Sequence, residues 1–210
     1  MDVRDGGFKT SASQPFSSRP PTLAGMDTPT LNTRRLRLRS VTPEDIPFIL
    51  KLFARSETNF YSGYDDIKTL ADAEQMYETY LKPGFPNHFR VIIELKETGE
   101  PIGTIGLYYY TKESRRAEMG YDMLKEHWGL GLMTEAVDAI LRYGFEELDL
   151  NRVEATTDSE NAASNRVLER TGFTIEGRLR ERHIYKDKIH DELFFGLLAA
   201  EWRNRVQSKR

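Results

Sequence analysis

The chain has 210 residues, 39% hydrophobic and 30% charged, with a formal charge of −3 and no cysteine. That length suits one domain with its own core, and the slight acidity gives no electrostatic basis for nucleic-acid binding. Missing cysteine excludes disulfides, thiolate metal sites and cysteine nucleophiles, and no apolar run is long enough to span a membrane.

Residues 1–30 hold four of the nine prolines with no periodic apolar pattern. Such a stretch cannot bury enough apolar area to offset the entropy of ordering it, so it reads as a flexible tail. It also lacks the continuous apolar core of a secretory signal, and a cytoplasmic location is the expectation. Leu36-Arg37-Leu38-Arg39 alternates as a strand should. Thr42-Pro43-Glu44-Asp45 then supplies a cap, a first-position proline and first-turn acids for a helix reaching about Arg55. A second helix is expected over Thr69–Leu81, ended by Lys82-Pro83-Gly84. Phe89–Leu95 and Pro101–Tyr110 read as strands about a turn at Lys96–Glu100.

In Ala117–Met123, Ala117, Met119, Tyr121 and Met123 share one face, and Glu118, Gly120 and Asp122 the other. A helix over Leu132–Leu148 carries two apolar stripes, one through Leu132, Ala136, Ala139, Ile140 and Tyr143, the other through Met133, Val137 and Leu141. It is therefore expected to be buried over a wide arc. Val153–Thr157 is a strand, Ala162–Arg170 a short helix, and Thr174–Tyr185 with Ile189–Leu198 a final strand pair. Several strands are joined by short turns, which predicts one mixed α/β sheet with helices packed on it.

Two passages carry candidate chemistry. In the first, a strand ending at Met123 feeds a turn, Trp128-Gly129-Leu130-Gly131, that opens the helix Leu132-Met133-Thr134. Free N–H groups at a helix start, with glycines that permit close approach, suit a phosphate. A plain tight turn is the alternative. Neither GxxxxGK[ST] nor a complete GxGxxG is present, since Thr134 stands at the third glycine. In the second, Asn161 and Ser164 sit three apart at a helix start and Gly172-Phe173 follows its end. Asn161 reads equally as an N-cap.

Taken together, these passages resemble the GNAT superfamily of N-acetyltransferases, and within it the RimJ/RimL-like branch. Against the superfamily pattern [Q/R]-x-x-G-x-[G/A], Trp128, Gly131 and Met133 occupy the marked positions; Trp-Gly-x-Gly before Thr-Glu-Ala is typical of that branch. Asn161, Ser164, Gly172 and Phe173 match the second family pattern, and Leu31-x-Thr33-x-Arg35-Leu36 and Glu201-Trp202 also look like the branch. The resemblance implies a single domain over residues 31–210 with a mostly antiparallel sheet flanked by helices on both faces.

It further implies acetyl-CoA as co-substrate, a primary amine as acceptor (a protein N-terminus or a small molecule), no metal, and a monomer or homodimer. Main-chain amides of Gly129, Leu130, Gly131, Leu132, Met133 and Thr134, beside Trp128, would hold the pyrophosphate. The pantetheine arm would lie along Tyr121, Asp122 and Met123, and Asn161 would bond it. An amine near neutral pH is mostly protonated, so a base is needed. Glu118 is the candidate, on the face opposite Met119 and Tyr121 at the point where the strands should splay, with an ordinary solvated strand glutamate as the alternative. Many GNAT enzymes protonate the leaving thiolate with a tyrosine seven residues after the asparagine, where this chain has Leu168. The branch points instead to Ser164, with Tyr185 a conceivable substitute, and to the Met119 amide as donor to the thioester carbonyl.

The four histidines, His88, His127, His183 and His190, lack metal-ligand spacing, and His190-Asp191-Glu192 reads as a strand surface. Phe60–Tyr64 could line the acceptor pocket or belong to the core. A catalytically idle acyl-CoA-binding module is the competing function; a Rossmann-like nucleotide binder is disfavoured by Thr134.

Overall fold

The computed structural model describes residues 28–54, 61, 67–84, 87–185 and 188–208. The expected tail through residue 27, most of Phe60–Tyr64 and the side chain of Tyr185 lie outside the described residues. An eight-stranded sheet runs β1 (Leu31–Asn32), β2 (Leu36–Ser40), β3 (Phe89–Leu95), β4 (Pro101–Thr111), β5 (Arg116–Met123), β6 (Arg152–Asp158), β8 (Lys188–Leu198) and β7 (Thr174–Tyr185) in that spatial order. Every neighbouring pair is antiparallel except β5 with β6.

Helices cover both faces. Helices α1 (Ile46–Phe53) and α2 (Leu70–Met76) bury Ile49, Leu52, Phe53 and Ala73 with Ile92 of β3. On the other face, α3 (Leu132–Arg142), α4 (Ala162–Thr171) and α5 (Ala199–Ser208) close over Val91, Ile93, Ile105, Leu107, Ala117 and Met119. Residues 91–93 of β3 thus alternate between the two cores, as period-2 strand geometry requires. Leu132, Met133, Ala136, Val137, Ile140 and Leu141 are all buried, so both apolar stripes of α3 are used.

Some expected boundaries move. The helix expected from Thr42 opens as one 3₁₀ turn, Pro43–Asp45, whose Asp45 carboxylate accepts from the Thr42 N–H at 2.9 Å. Two helices end in a π turn: α2 passes into Tyr77–Leu81, and α3 into Tyr143–Glu147. In each, an i→i+5 bond closes the turn, Lys82 N to Tyr77 O at 2.8 Å and Leu148 N to Tyr143 O at 3.1 Å. Helix α5 is an addition to the expected elements. It buries little beyond Ala199 and Trp202, and so carries no apolar stripe to announce it.

Candidate functional site

The site grows from one interruption in the sheet. Strand β5 pairs with β4 from Glu118 to Met123, but its parallel pairing with β6 ends at Glu118↔Glu154. Past that point β6 continues to Asp158 against β8, while β5 runs on to Met123 without a strand partner on that side. The backbone of Met119–Met123 therefore offers an open edge, of the kind that pairs with an extended ligand.

Beyond Met123 the chain makes a 3₁₀ turn, Lys125–His127, and enters the glycine turn. Gly129 and Gly131 have φ of +75° and +74°, the left-handed region that other residues enter only with strain. Gly131 is the N-cap of α3 and no side chain caps the helix there. The first N–H groups of an eleven-residue helix thus point out of the turn with the positive end of its dipole. The space beside Gly129 is open, with no atom within 4 Å of where a Cβ would stand. Trp128 fixes the turn to the strand: its indole N–H donates to Met123 O at 2.7 Å.

A second clamp joins the turn to the beginning of the fold. Glu135, in the first turn of α3, accepts from Thr33 Oγ1 at 2.6 Å and from Arg35 N at 2.8 Å through Oε1, and from Arg35 Nε at 2.7 Å through Oε2. Arg35 Nη1 also donates to Leu130 O at 3.0 Å. Thr33-x-Arg35 and Thr134-Glu135, a hundred residues apart, are one bonded unit. Burial pushes the Glu135 carboxyl up, but the bonds from Thr33 and Arg35 outweigh it and hold its pKa below the usual range.

The two faces of β5 carry different chemistry. On the α3 face, the Tyr121 hydroxyl meets Ser164 Oγ at 2.7 Å, across the divergence of β5 and β6. Asn161 accepts the Ser164 N–H at 3.1 Å through Oδ1, so it is an N-cap as well as a candidate ligand. Leu168, one helical turn beyond Ser164, is fully buried and offers no hydroxyl. The α3 face therefore holds Tyr121 and Ser164 together, with Asn161 at the helix start.

On the opposite face lies Glu118. Burial raises its pKa, and the nearby Glu154 and Glu192 carboxylates raise it further, against the pull of Arg116. Glu154 is itself engaged by Arg116 and by Arg152 Nε at 2.8 Å, and Glu192 by His183 at 3.1 Å. Asp122 shares the Glu118 face, and its side chain bonds the buried Arg90, which also reaches Thr104 Oγ1 at 2.8 Å and the Tyr108 hydroxyl. The Asp122 side chain is thus held toward Arg90. Met123 is likewise a core side chain, 5% exposed.

Sequence reasoning missed the Arg90 network and the aromatic group beside it. Tyr80, His88 and Tyr108 cluster with ring centroids 5.8–6.2 Å apart, His88 stacked on Tyr108 and Tyr80 tilted against both, and a β4 irregularity turns Tyr109 outward at φ +50°. No residue spacing along the chain signals this cluster; it forms when the π turn Tyr77–Leu81 packs beside β3 and brings Tyr80 to Tyr108. Of Phe60–Tyr64, the described Tyr61 donates to Glu160 O at 3.4 Å, beside the loop that carries Asn161. His190 departs from the surface placement expected for it: it is 4% exposed, with Nδ1 2.5 Å from Asp158 Oδ2.

Comparison with known proteins identifies the family and the fold. Residues 35–174 match the acetyltransferase (GNAT) domain family. The chain is 37% identical over 176 residues to the uncharacterized N-acetyltransferase p20 of Bacillus licheniformis, covering 82% of this chain and 98% of that one. It is 37% identical over 158 residues to the uncharacterized N-acetyltransferase YoaA of Bacillus subtilis, covering 73% and 87% of the two chains. The spermidine N-acetyltransferase of Vibrio cholerae, crystallised with CoA and spermine, shares the fold with a TM-score of 0.73 at 23% identity, over 82% of this chain and all of that one. With two thirds of its length matched to the family, the chain is a member of the GNAT acetyltransferases.

Proposed function

We propose that this protein moves the acetyl group of acetyl-CoA to a primary amine by direct attack in a ternary complex. The observation that carries the reading is the divergence of β5 and β6, with the uncapped α3 N-terminus at one end and Glu118 and Ser164 on opposite faces. The residues suit the co-substrate. The main-chain amides from Gly129 to Thr134 would hold its pyrophosphate, and the open backbone edge of Tyr121, Asp122 and Met123 would pair with the pantetheine arm. Bound there, acetyl-CoA supplies an activated acyl group.

The rest falls to the chain's own side chains. Glu118 takes a proton from the ammonium or from the attacking amine, a role that its raised pKa favours near neutral pH. The Met119 amide, first on the open edge, donates to the thioester carbonyl as charge develops. Ser164 hydrogen-bonds the departing sulfur. Trp128-Gly-x-Gly with Ser164 supports placement in the RimJ/RimL-like branch.

The test is thiol release from acetyl-CoA across a panel of peptides, polyamines, amino sugars and amino acids. Turnover with at least one acceptor is expected. Binding of acetyl-CoA without turnover on any of them would instead favour the idle-module reading.

A further inference from the structure

Where many GNAT enzymes place a tyrosine on α4, this chain has the buried Leu168, yet a phenol still reaches the same helix from the strand opposite. Tyr121 stands on β5 three residues past its last pairing with β6, and Ser164 lies in the first turn of the helix that follows β6. Their 2.7 Å bond thus bridges the divergence on the α3 face. The alternative acceptor for the phenol, Ser164 O, is more distant at 3.4 Å.

We propose that Tyr121 is a positioning residue for departure of the thiolate: its phenol holds the Ser164 hydroxyl so that the serine's own proton is presented to the sulfur. This rests on the acetyl-transfer reading above. Either hydroxyl can donate across this bond, and the stronger acidity of a phenol favours the direction taken here, Tyr121 donating and Ser164 Oγ accepting. Ser164 has one proton, and with its oxygen anchored by Tyr121 that proton must point elsewhere. Its backbone N–H is already committed to Asn161, which fixes the serine at its Cα as well. Burial pushes the Tyr121 phenol well above its ordinary range, so it stays protonated and keeps donating.

The bonds balance without an added reagent. The amine nitrogen forms its bond to the acetyl carbon while the carbon–sulfur bond breaks, and the electron pair of that bond stays on sulfur. The amine proton goes to Glu118. Ser164 stabilises the thiolate by a hydrogen bond, and solvent protonates it after release. Tyr121 gives up no proton at any step.

The experiment is a double-mutant cycle of Tyr121→Phe and Ser164→Ala, followed by thiol release with an acceptor found in the panel. Tyr121→Phe should lower kcat about ten-fold or more, with KM for acetyl-CoA within about two-fold of wild type. The double variant should be no slower than Ser164→Ala alone, because the phenol acts only through the serine. Phe keeps the ring that packs against the core, and its unfolding temperature checks this. In a Ser164→Thr background, which retains a hydroxyl, Tyr121→Phe should again lower kcat. Multiplying losses in the double variant, or a wild-type kcat for Tyr121→Phe, overturns the proposal and leaves acetyl transfer standing. A wild-type protein that turns over no acceptor overturns both.

Discussion

Arg35 Nε lies 2.7 Å from Glu135 Oε2, and Arg35 Nη1 continues to Leu130 O at 3.0 Å, so one guanidinium joins the helix α3 to the carbonyl that precedes its glycine cap. Glycines confer close approach on the turn but also looseness. The clamp supplies the stiffness that glycine removes. A turn whose amides must converge on an anion gains from being ordered before the anion arrives.

Glu135→Ala should therefore cost stability and affinity together. It removes three accepted bonds in a half-buried setting, for a loss of about 1–3 kcal/mol in urea unfolding. Acetyl-CoA binding should weaken by about ten-fold, the equivalent of ~1.4 kcal/mol. Calorimetric titration with acetyl-CoA checks the second effect. The pH dependence has a fixed sign. The folded-state pKa of Glu135 is depressed, so its contribution is present above the unfolded value of about 4.3 and disappears as pH falls through the folded value. The gap in stability between wild type and Glu135→Ala should close in that acid window.

Acetyl-CoA should raise the unfolding temperature. At a hundred-fold excess over Kd the expected gain is about 2.7 kcal/mol, or roughly 5–10 °C for a chain of this size. Gly131→Glu should abolish the shift, since its carboxylate would stand where the pyrophosphate binds. The backbone strain of the substitution needs its own control. Gly99 in the β3–β4 turn has a nearly equal φ of +73° and open space around it. Gly99→Glu should lose similar stability and keep the full acetyl-CoA shift.

The contrast between Glu135 and Arg90 shows what sequence could and could not disclose. The Thr33-x-Arg35 and Thr134-Glu135 positions are visible as motif because they are local and close to recognisable turns, although their bonding is not. The alternation of Ala117–Met123 correctly separates Tyr121 from Glu118, because a strand has only two faces. Arg90 reads as one charged residue among the apolar neighbours of β3, and nothing nearby in the chain is its partner. Asp122 becomes that partner through two antiparallel registers, β3 with β4 and β4 with β5. No residue type announces the β5–β6 divergence, which is set by where pairing stops; the splay beside Glu118 is expected from the family resemblance alone. Helix α5 escaped because it buries only Ala199 and Trp202, too few for an apolar stripe.

The Arg90–Asp122 pair leads to a prediction about folding. Arg90 is 4% exposed, and its partner sits at the centre of the sheet between β4 and the open edge. Removing one member of a buried pair strands the other charge, which typically costs about 3–5 kcal/mol. Arg90→Ala should lose that amount in urea unfolding. The double variant Arg90→Met/Asp122→Leu should recover most of it, because the desolvation cost of both charges goes with them. A double variant as unstable as Arg90→Ala would mean that the bonds to Thr104 and Tyr108, and not the charge pair, organise this part of the sheet.

Glu118→Gln separates catalysis from stability on one side chain. As the proton acceptor, Glu118 should contribute about 10²–10⁴ to the rate, so kcat should fall by that factor while the acetyl-CoA thermal shift is retained. In wild type, kcat/KM should decline as pH drops through the raised pKa of Glu118, and this acid limb should vanish in the variant. Stability should move the other way. Burial and the carboxylates of Glu154 and Glu192 disfavour the charged form in the folded state, so the folded pKa lies above the unfolded one. The folded protein then carries a penalty that is complete above the folded pKa and disappears below the unfolded value of about 4.3. Glu118→Gln should unfold at a higher temperature than wild type near pH 8, and the difference should shrink toward pH 4. A slower enzyme that is also less stable at pH 8 would show that Glu118 is a structural partner of this face and not its base.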